Sequence, residues 1–283
     1  MHHVGVAHAR VGGSEGAKPV LVLDKVRQVL EAFTGEAPQL TLAEIRRATG
    51  LPPTTCARLV QNLVAGGLLV RDGDRYRVGV TVLRWSAAAL RALDLVPVVT
   101  PVIERLRDAT GESAAVFVRQ GAARTCVAVA PTRHRVIWQL HVGLSTPLHV
   151  GSGGRALLAF DDAAAAAVLA ADRVSFTPNT ITGARALRSA LAETRRSGVA
   201  VSHEELDREV GGVSAPVFGP GGVVAALGVA GPAQRFGEAD VARYVPAVLA
   251  SASAASSLMG GEFPAAAVAA SGPPGRRGHG GRR

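Results

Sequence analysis

The sequence is poor in cysteine, in aromatic side chains and in long apolar runs. Its two cysteines, Cys56 and Cys126, are too few for a disulfide framework and lack the spacing of metal ligands, which favours a reducing compartment. No apolar run approaches the length that crosses a bilayer, and the first residues lack the apolar core of a signal peptide. These absences predict a cytoplasmic protein without a membrane segment. Hydrophobic residues make up 48% of the 283 positions, enough for one large core or two small ones.

Common signatures of catalysis and nucleotide binding are missing as well. No G-x-x-x-x-G-K-[ST] phosphate loop occurs. Val150 stands where a G-x-S-x-G nucleophile elbow requires its first glycine, and "GVSAP" at 212–216 lacks the second. The adjacent Glu204 and Glu205 are expected to point apart into solvent, so they do not form an acid/base pair. We therefore expect no catalytic residue, no bound metal and no cofactor.

Positive charge is in excess, with a formal net charge of +9. The tail "GPPGRRGHGGRR" supplies four arginines, but residues 21–91 alone contain ten Lys/Arg against six Asp/Glu. The excess is therefore not confined to the tail. Such a charge distribution favours a polyanionic partner, although it does not establish nucleic-acid binding.

Both ends of the chain have low-complexity composition, and we expect residues 1–19 and 260–283 to be disordered. His2, His3 and His8 either capture a stray metal ion or simply belong to a flexible terminus. The basic tail either adds nonspecific affinity for DNA or has no role.

Two short helices are predicted at the start of the ordered chain. The segment "VLDKVRQVLEAF" (22–33) places apolar residues at helical spacing. In "TLAEIRRATG", Thr41 and Glu44 have the S/T-x-x-E spacing of a capping box, and Gly50 ends the segment.

A third helix and a hairpin follow. Pro53 suits the first turn of a helix, where no N–H bond is lost, and Gly66-Gly67 ends that helix. The segments "LLVR" and "RYRVG" are then joined by Asp72-Gly73-Asp74, a strong hairpin signal. Three short helices and a hairpin form the pattern of a winged helix-turn-helix.

The third helix has two chemically different faces. Stepping 100° per residue puts an apolar stripe on one face: Cys56, Leu59, Val60 and Leu63. The opposite face carries Thr54, Arg58 and Gln61, whose groups can bind base edges and phosphates in a major groove. The alternative is an ordinary solvated polar face. Three arginines in the hairpin, Arg71, Arg75 and Arg77, favour the DNA interpretation, because they are expected to lie near the duplex backbone.

From residue 80 onward the pattern predicts a long helix and then an α+β sheet domain. We expect Pro97 and Pro101 to mark the boundary after the helix at 80–94. The predicted elements are helices at 98–109, 154–170, 184–197 and 237–258, and strands at 113–119, 124–130, 135–142, 213–218 and 223–230.

Several segments together resemble the IclR family of bacterial transcriptional regulators. They include "LTLAEIRRATGLPPTTCARLVQNLVAGGLL", "VTPVIERLRDATGESAAVFV", "GLSTPLHVGSGGRALLAF" and "GGVVAALGVAGPAQRF", and the likeness covers roughly residues 20–258. The resemblance implies a winged helix-turn-helix DNA-binding domain (20–79), a linker helix (80–96) and a GAF-like α+β effector-binding domain (97–259). It also implies a homodimer or tetramer on a pseudo-palindromic operator, acting as a repressor or an activator.

The resemblance assigns DNA reading to the third helix, at Thr54, Thr55, Arg58 and Gln61. Together with the hairpin arginines, the candidate DNA-binding set is Thr41, Pro53, Thr54, Thr55, Arg58, Gln61, Arg71, Arg75 and Arg77.

The effector site is expected around "PLHVGSGGRALLAF" (147–160), a glycine-rich turn that leads into a helix near Arg155. Its N–H groups suit an anion, or the glycines are needed only for the turn. Relative to small-acid-binding members, polar positions are replaced by Ser202, Gly212, Gly228 and Ala230. This predicts a roomier, less polar pocket and an effector bulkier than a compact acid. The candidate effector-binding set is Trp138, His141, His149, Gly151, Ser152, Gly153, Ser202, His203, Gly212, Gly228 and Ala230.

The sequence thus favours a sequence-specific DNA-binding regulator controlled by a small molecule. Two alternatives stay open: an enzyme that carries a winged helix for regulation or assembly, and a module that uses the winged helix for protein contacts only.

Overall fold

The computed structural model describes residues 21–34, 37–85, 95–135 and 140–264. These residues form two compact units, divided between positions 94 and 95. The predicted disordered segment 1–19, most of the basic tail, and Trp138 lie outside the described residues. Among the described helices, none combines the length and apolar content that a bilayer span requires.

The amino-terminal unit contains the three predicted helices and a small antiparallel sheet of order β1-β3-β2. Its elements are α1 (Leu21–Glu31), β1 (Gln39–Thr41), α2 (Leu42–Thr49), α3 (Pro53–Ala65), β2 (Leu69–Asp72) and β3 (Arg75–Val78). The predicted winged helix-turn-helix pattern is confirmed. Strand β1, which the sequence pattern did not reveal, adds a third strand beside β3.

Local sequence signals explain where these elements begin and end. Pro52 caps α3 from an extended conformation, and Pro53 takes the first helical position. Gly50 ends α2 with a φ of 66°, and Gly73 turns the hairpin with a φ of 61°. Glycine adopts these left-handed angles without the steric penalty that a side chain brings.

The apolar stripe of α3 forms the centre of the amino-terminal core. Cys56, Leu59, Val60 and Leu63 are all buried, and they pack with Val29, Ile45, Leu51 and Leu69. The predicted assignment of Cys56 as a small core residue is confirmed.

The carboxyl-terminal unit is an α+β domain around a six-stranded antiparallel sheet of order β6-β5-β4-β9-β8-β7. Its strands are β4 (Ser113–Gln120), β5 (Ala123–Ala130), β6 (Ser145–Pro147), β7 (Ala200–His203), β8 (Val210–Gly219) and β9 (Gly222–Pro232). Its helices are α4 (Leu95–Thr110), α5 (Gly151–Leu158), α6 (Asp162–Ala170), α7 (Ala184–Ser197) and α8 (Glu238–Leu258). Helices α4 and α8 pack on each other and on the sheet, whereas α5 packs against β7, β8 and β9.

Two predicted elements of this unit differ from the structure, and two short strands were not predicted. The single helix at 154–170 is two helices, because Asp161 interrupts the run and caps α6 through the N–H of Ala164. In the predicted strand 135–142, the described positions 135 and 140–142 are not extended ladder residues, and 136–139 lie outside the described residues. The short strands β6 and β7 were not predicted, since three or four residues carry little periodicity.

The prolines expected to mark a domain boundary lie inside a helix. Helix α4 starts at Leu95, so Pro97 falls in its first turn, where no N–H partner is lost, and Pro101 lies in its interior. Residues 81–85 are helical, and the rest of the predicted linker helix, 86–94, lies outside the described residues.

A capping box begins α2 and generates a stability prediction. The Thr41 hydroxyl accepts the N–H of Glu44, and the Glu44 carboxylate accepts the Thr41 N–H at 2.7 Å. Replacing Thr41→Ala removes the side-chain half of this box, so we expect the free energy of unfolding of the amino-terminal unit to fall by about 1 kcal/mol. Thermal melts of Thr41→Ala and of the control Thr54→Ala, an exposed residue, test this. Equal melting temperatures for Thr41→Ala and wild type would contradict it.

Candidate functional site

The outer face of α3 carries the polar residues that the sequence singled out. Thr54, Arg58 and Gln61 are exposed, opposite the buried apolar stripe, as is Pro53 at the start of the helix, whereas Thr55 is half-buried. Among the described residues, the Arg58 guanidinium forms no hydrogen bond or ion pair, whereas the Arg58 carbonyl accepts from the Asn62 side-chain amide at 2.7 Å. The side chain is therefore available to a ligand outside the chain.

Thr41 has a structural role that accounts for its side chain. Its hydroxyl donates to Glu44 Oε2 at 2.9 Å, within the capping box. Two hydrogen bonds lower the pKa of Glu44: one from the Thr41 N–H, which has the larger effect, and one from the Thr41 hydroxyl. Thr41 can still lie near a duplex, but its hydroxyl is already committed to the start of α2.

The hairpin arginines are all exposed, yet they differ in their contacts. Arg75 donates to the carbonyl of Gln39 at 3.3 Å and lies 3.8 Å from the Glu44 carboxylate. Arg71 donates to the carbonyl of Gly73 at 2.9 Å. In the described part of the chain, the Arg77 side chain has no such bond, so it is the hairpin arginine freest to bind phosphate.

In the carboxyl-terminal unit, a cavity lies between helix α5 and the sheet. Six of the predicted effector-binding positions line it: Gly151, Ser152, Ser202, Gly212, Gly228 and Ala230. The hydroxyls of Ser152 and Ser214 are hydrogen-bonded to each other at 2.8 Å across this space.

The other predicted positions lie elsewhere. His149 is buried but bonds to the carbonyl of Val174 at 2.9 Å, and burial lowers its pKa. His141 and His203 are exposed and do not line the cavity. Gly153 does not line the cavity but lies next to Phe117, which does, since a Cβ at Gly153 would lie 3.0 Å from the Phe117 ring.

The glycine-rich turn already binds an anion, and that anion belongs to the protein. The N–H of Gly151, whose φ is 77°, donates to Glu205 Oε2 at 2.9 Å, and Arg155 forms a salt bridge with the same oxygen. Both charged side chains are buried. The expectation that Glu204 and Glu205 are both solvated is therefore wrong for Glu205. The carboxylate compensates the buried guanidinium and the positive end of helix α5.

The predicted loss of polar groups from the cavity is offset in two ways. A Cβ at Gly228 would lie 2.4 Å from the Ser214 hydroxyl, so that hydroxyl occupies the space that a side chain there would need. Arg124, which the sequence pattern did not single out, also lines the cavity. Its position was detectable in principle, because alternation along "ARTCVAVA" puts Arg124 on the same face as the buried Cys126.

Neither cysteine is placed for chemistry. Both are free and buried, and burial raises the pKa of Cys126 to about 12. Within the described ranges, no group of three His, Cys, Asp or Glu side chains could hold a metal ion.

Comparison with known proteins gives a consistent result. A family model described as the IclR helix-turn-helix domain matches residues 22–73, and one described as the bacterial transcriptional regulator IclR C-terminal matches residues 87–257. The HTH-type transcriptional regulator BhcR of Paracoccus denitrificans is 29% identical over 88% of this chain and 91% of its own length.

Solved structures are similar over most of the chain. An IclR transcriptional regulator from Alicyclobacillus acidocaldarius has a TM-score of 0.72 at 27% identity, covering 86% of this chain and 100% of its own. An IclR homologue from Microbacterium hydrocarbonoxydans, complexed with 4-hydroxybenzoate, has a TM-score of 0.70 at 26% identity, covering 84% of this chain and 98% of its own.

The buried Arg155–Glu205 pair generates a second prediction. Glu205→Ala leaves the buried Arg155 guanidinium without its counter-charge and the Gly151 N–H without its acceptor, so we expect the free energy of unfolding to fall by roughly 3–5 kcal/mol. Denaturant melts that follow the carboxyl-terminal unit measure this. The neighbouring Glu204→Ala serves as the control and should change stability by less than about 1 kcal/mol. A similar loss in both variants would contradict a specific role for the buried pair.

Proposed function

Because the chain belongs to the IclR family of bacterial transcriptional regulators, we propose that it binds specific operator DNA under the control of a small-molecule effector. The operator is pseudo-palindromic and is bound by a homodimer or a tetramer. The chain acts in the cytoplasm, where the DNA is, and has no catalytic activity of its own. The observation that carries this proposal is the exposed polar face of α3 beside an arginine-bearing hairpin.

The chemistry of α3 supports reading in the major groove. A guanidinium pairs with guanine O6 and N7, a carboxamide with adenine N6 and N7, and a hydroxyl with either base edges or phosphate. Arg58 and Gln61 lie three residues apart on one face, so they meet neighbouring base pairs together. The buried opposite face holds the helix rigidly, which favours defined base contacts.

Exposed apolar side chains support self-association. In the amino-terminal unit, Leu21 and Leu23 at the start of α1 are 69% and 65% exposed, and Leu83 and Trp85 are 66% and 58% exposed. Large exposed apolar side chains that lie together on a surface are typical of an interface. We propose that a second copy of the chain covers them, and sedimentation of the full chain tests the oligomeric state.

The cavity of the carboxyl-terminal unit is the proposed effector site. The related Microbacterium hydrocarbonoxydans protein holds 4-hydroxybenzoate, which supports a small organic effector for this chain too. The effector controls DNA binding only by having different affinities for the DNA-competent and DNA-incompetent arrangements of the chain.

A third prediction concerns the reading face. From a random duplex library, the wild-type chain is expected to enrich one operator sequence. Arg58→Ala should weaken binding to that operator by about 10- to 100-fold and relax the sequence preference, because a bidentate base contact contributes roughly 1–3 kcal/mol. Arg105→Ala, an exposed arginine of the carboxyl-terminal unit, is the matched control. Unchanged specificity in Arg58→Ala would refute the assigned face, and no enrichment by the wild type would refute sequence-specific binding and favour a winged helix used only for assembly.

A fourth prediction separates the hairpin from α3. The double variant Arg71→Ala/Arg77→Ala should lower affinity for operator and for unrelated duplexes alike. The slope of log affinity against log salt should become shallower by roughly 0.9 for each phosphate that the variant no longer neutralises. Fluorescence anisotropy over a salt series measures both quantities. A decrease in affinity confined to the operator would mean that the hairpin reads bases.

A further inference from the structure

A buried cation faces the proposed effector cavity. Arg124 projects from β5, is only 6% exposed, and lines the cavity. Its Nε is buried without a hydrogen-bond partner, and no ion pair with Arg124 occurs in the described part of the chain. The Arg124 Cζ lies 4.1 Å from the centre of the Phe117 ring, over its face, in a cation–π contact.

The glycines of the α5 turn allow this guanidinium to approach closely. A Cβ at Gly151 would lie 3.2 Å from Nη2 of Arg124, and one at Gly153 would lie 3.0 Å from Nη1. Side chains larger than glycine would therefore press on Arg124 from the helix. The fork of N–H groups is thus held between the Phe117 ring and the first turn of α5.

The charges around the cavity do not balance. Arg124 and Arg155 are both buried, and Glu205 is the buried carboxylate that acts on both of them. Glu205 is bound to Arg155 and to the N–H of Gly151, so it does not pair with Arg124. Burial lowers the pKa of Arg124 to about 10, which still leaves it protonated at neutral pH. The site therefore has one positive charge in excess, and a buried charge without a partner is costly.

We propose that Arg124 binds the carboxylate of a singly charged organic anion in this cavity. The planar guanidinium fork matches the two oxygens of a carboxylate, and one such group neutralises the excess charge. Apolar side chains, including Ala115, Leu206, Val210 and Val229, share the rest of the lining with the hydroxyls of Ser152, Ser202 and Ser214, so a largely apolar ligand body with at most a few polar groups fits it. This inference rests on the proposed effector control, and what it adds is the residue that selects the effector by its charge.

The test measures ligand-induced thermal shifts of the full chain. The probes are benzoate and hexanoate, their neutral amides, the dianion phthalate, and sodium phosphate and chloride at matched ionic strength. The variants are Arg124→Met, which keeps the packing on Phe117 without the charge, Arg124→Lys, which keeps the charge without the fork, and the control Arg105→Met. Calorimetric titration supplies the Kd of each carboxylate that shifts the melting temperature.

We expect a carboxylate at one hundred times its Kd to raise the Tm of the wild type and of Arg105→Met by roughly 5–10 °C. The matching amide, phthalate and the inorganic salts should give little shift. Arg124→Met should weaken the carboxylate by roughly 10- to 100-fold, with Arg124→Lys between the two. The ligand-free Tm of Arg124→Met should equal or exceed that of the wild type, because an unpaired buried charge is removed.

Three outcomes overturn the inference. The first is a wild type that responds to no carboxylate more than to its amide, and the second is an Arg124→Met variant that keeps the wild-type Kd. The third is an Arg124→Met variant that melts well below the ligand-free wild type while Arg124→Lys binds carboxylates as the wild type does, which assigns the Arg124 charge a structural role and its fork no role in binding. Duplex selection by the wild type is measured separately, so a failure of DNA binding is distinguished from a failure of carboxylate binding.

Discussion

The Glu205 carboxylate organises the carboxyl-terminal unit. One of its oxygens accepts from Gly151 and from Arg155, at the two ends of the first helical turn of α5. The Glu205 carbonyl accepts from the Thr180 hydroxyl at 2.7 Å, which ties the same residue to the loop before α7. Three segments distant in sequence therefore meet at one residue. Since a buried charge tolerates no loss of its partners, these segments are held in place together.

This constraint explains which groups face the cavity from helix α5 and from the sheet. With α5 held by Glu205, the glycines of its first turn face the sheet, and Arg124 fills the opposite side against Phe117. The internal carboxylate satisfies the helix terminus, which would otherwise be the obvious anion site. The remaining positive charge is therefore carried by a side chain of the sheet.

The sequence predicted the elements that carry strong local signals. The capping box at Thr41, the proline at the start of α3 and the glycine turn of the hairpin each act within a few residues, so their outcome follows from spacing alone. The division of 154–170 into two helices depended on the cap formed by Asp161, a local signal that the alanine-rich run obscured. Short strands such as β7 form only because a long neighbour pairs with them, and no local pattern reveals this.

The candidate site was also predictable only in part. Six cavity positions follow from the resemblance, because they lie on a turn and strands that the family shares. The burial of Glu205 depends on Arg155, fifty residues earlier, and such a pairing is invisible without the fold. Arg124 lies on the buried face of β5, whose other residues are mostly small and apolar. Alternation along the strand therefore predicts that the Arg124 side chain points inward, but not which groups surround it.

The outermost strands of the six-stranded sheet restrict how copies of the chain can associate. The edges are β6 and β7, with only three and four residues. A ladder this short offers few unpaired N–H and carbonyl groups to an incoming strand, which protects the sheet from edge-to-edge growth. Continuous β-sheet across two chains is thus disfavoured, and higher-order assembly has to rely on side-chain contacts between helical or loop surfaces.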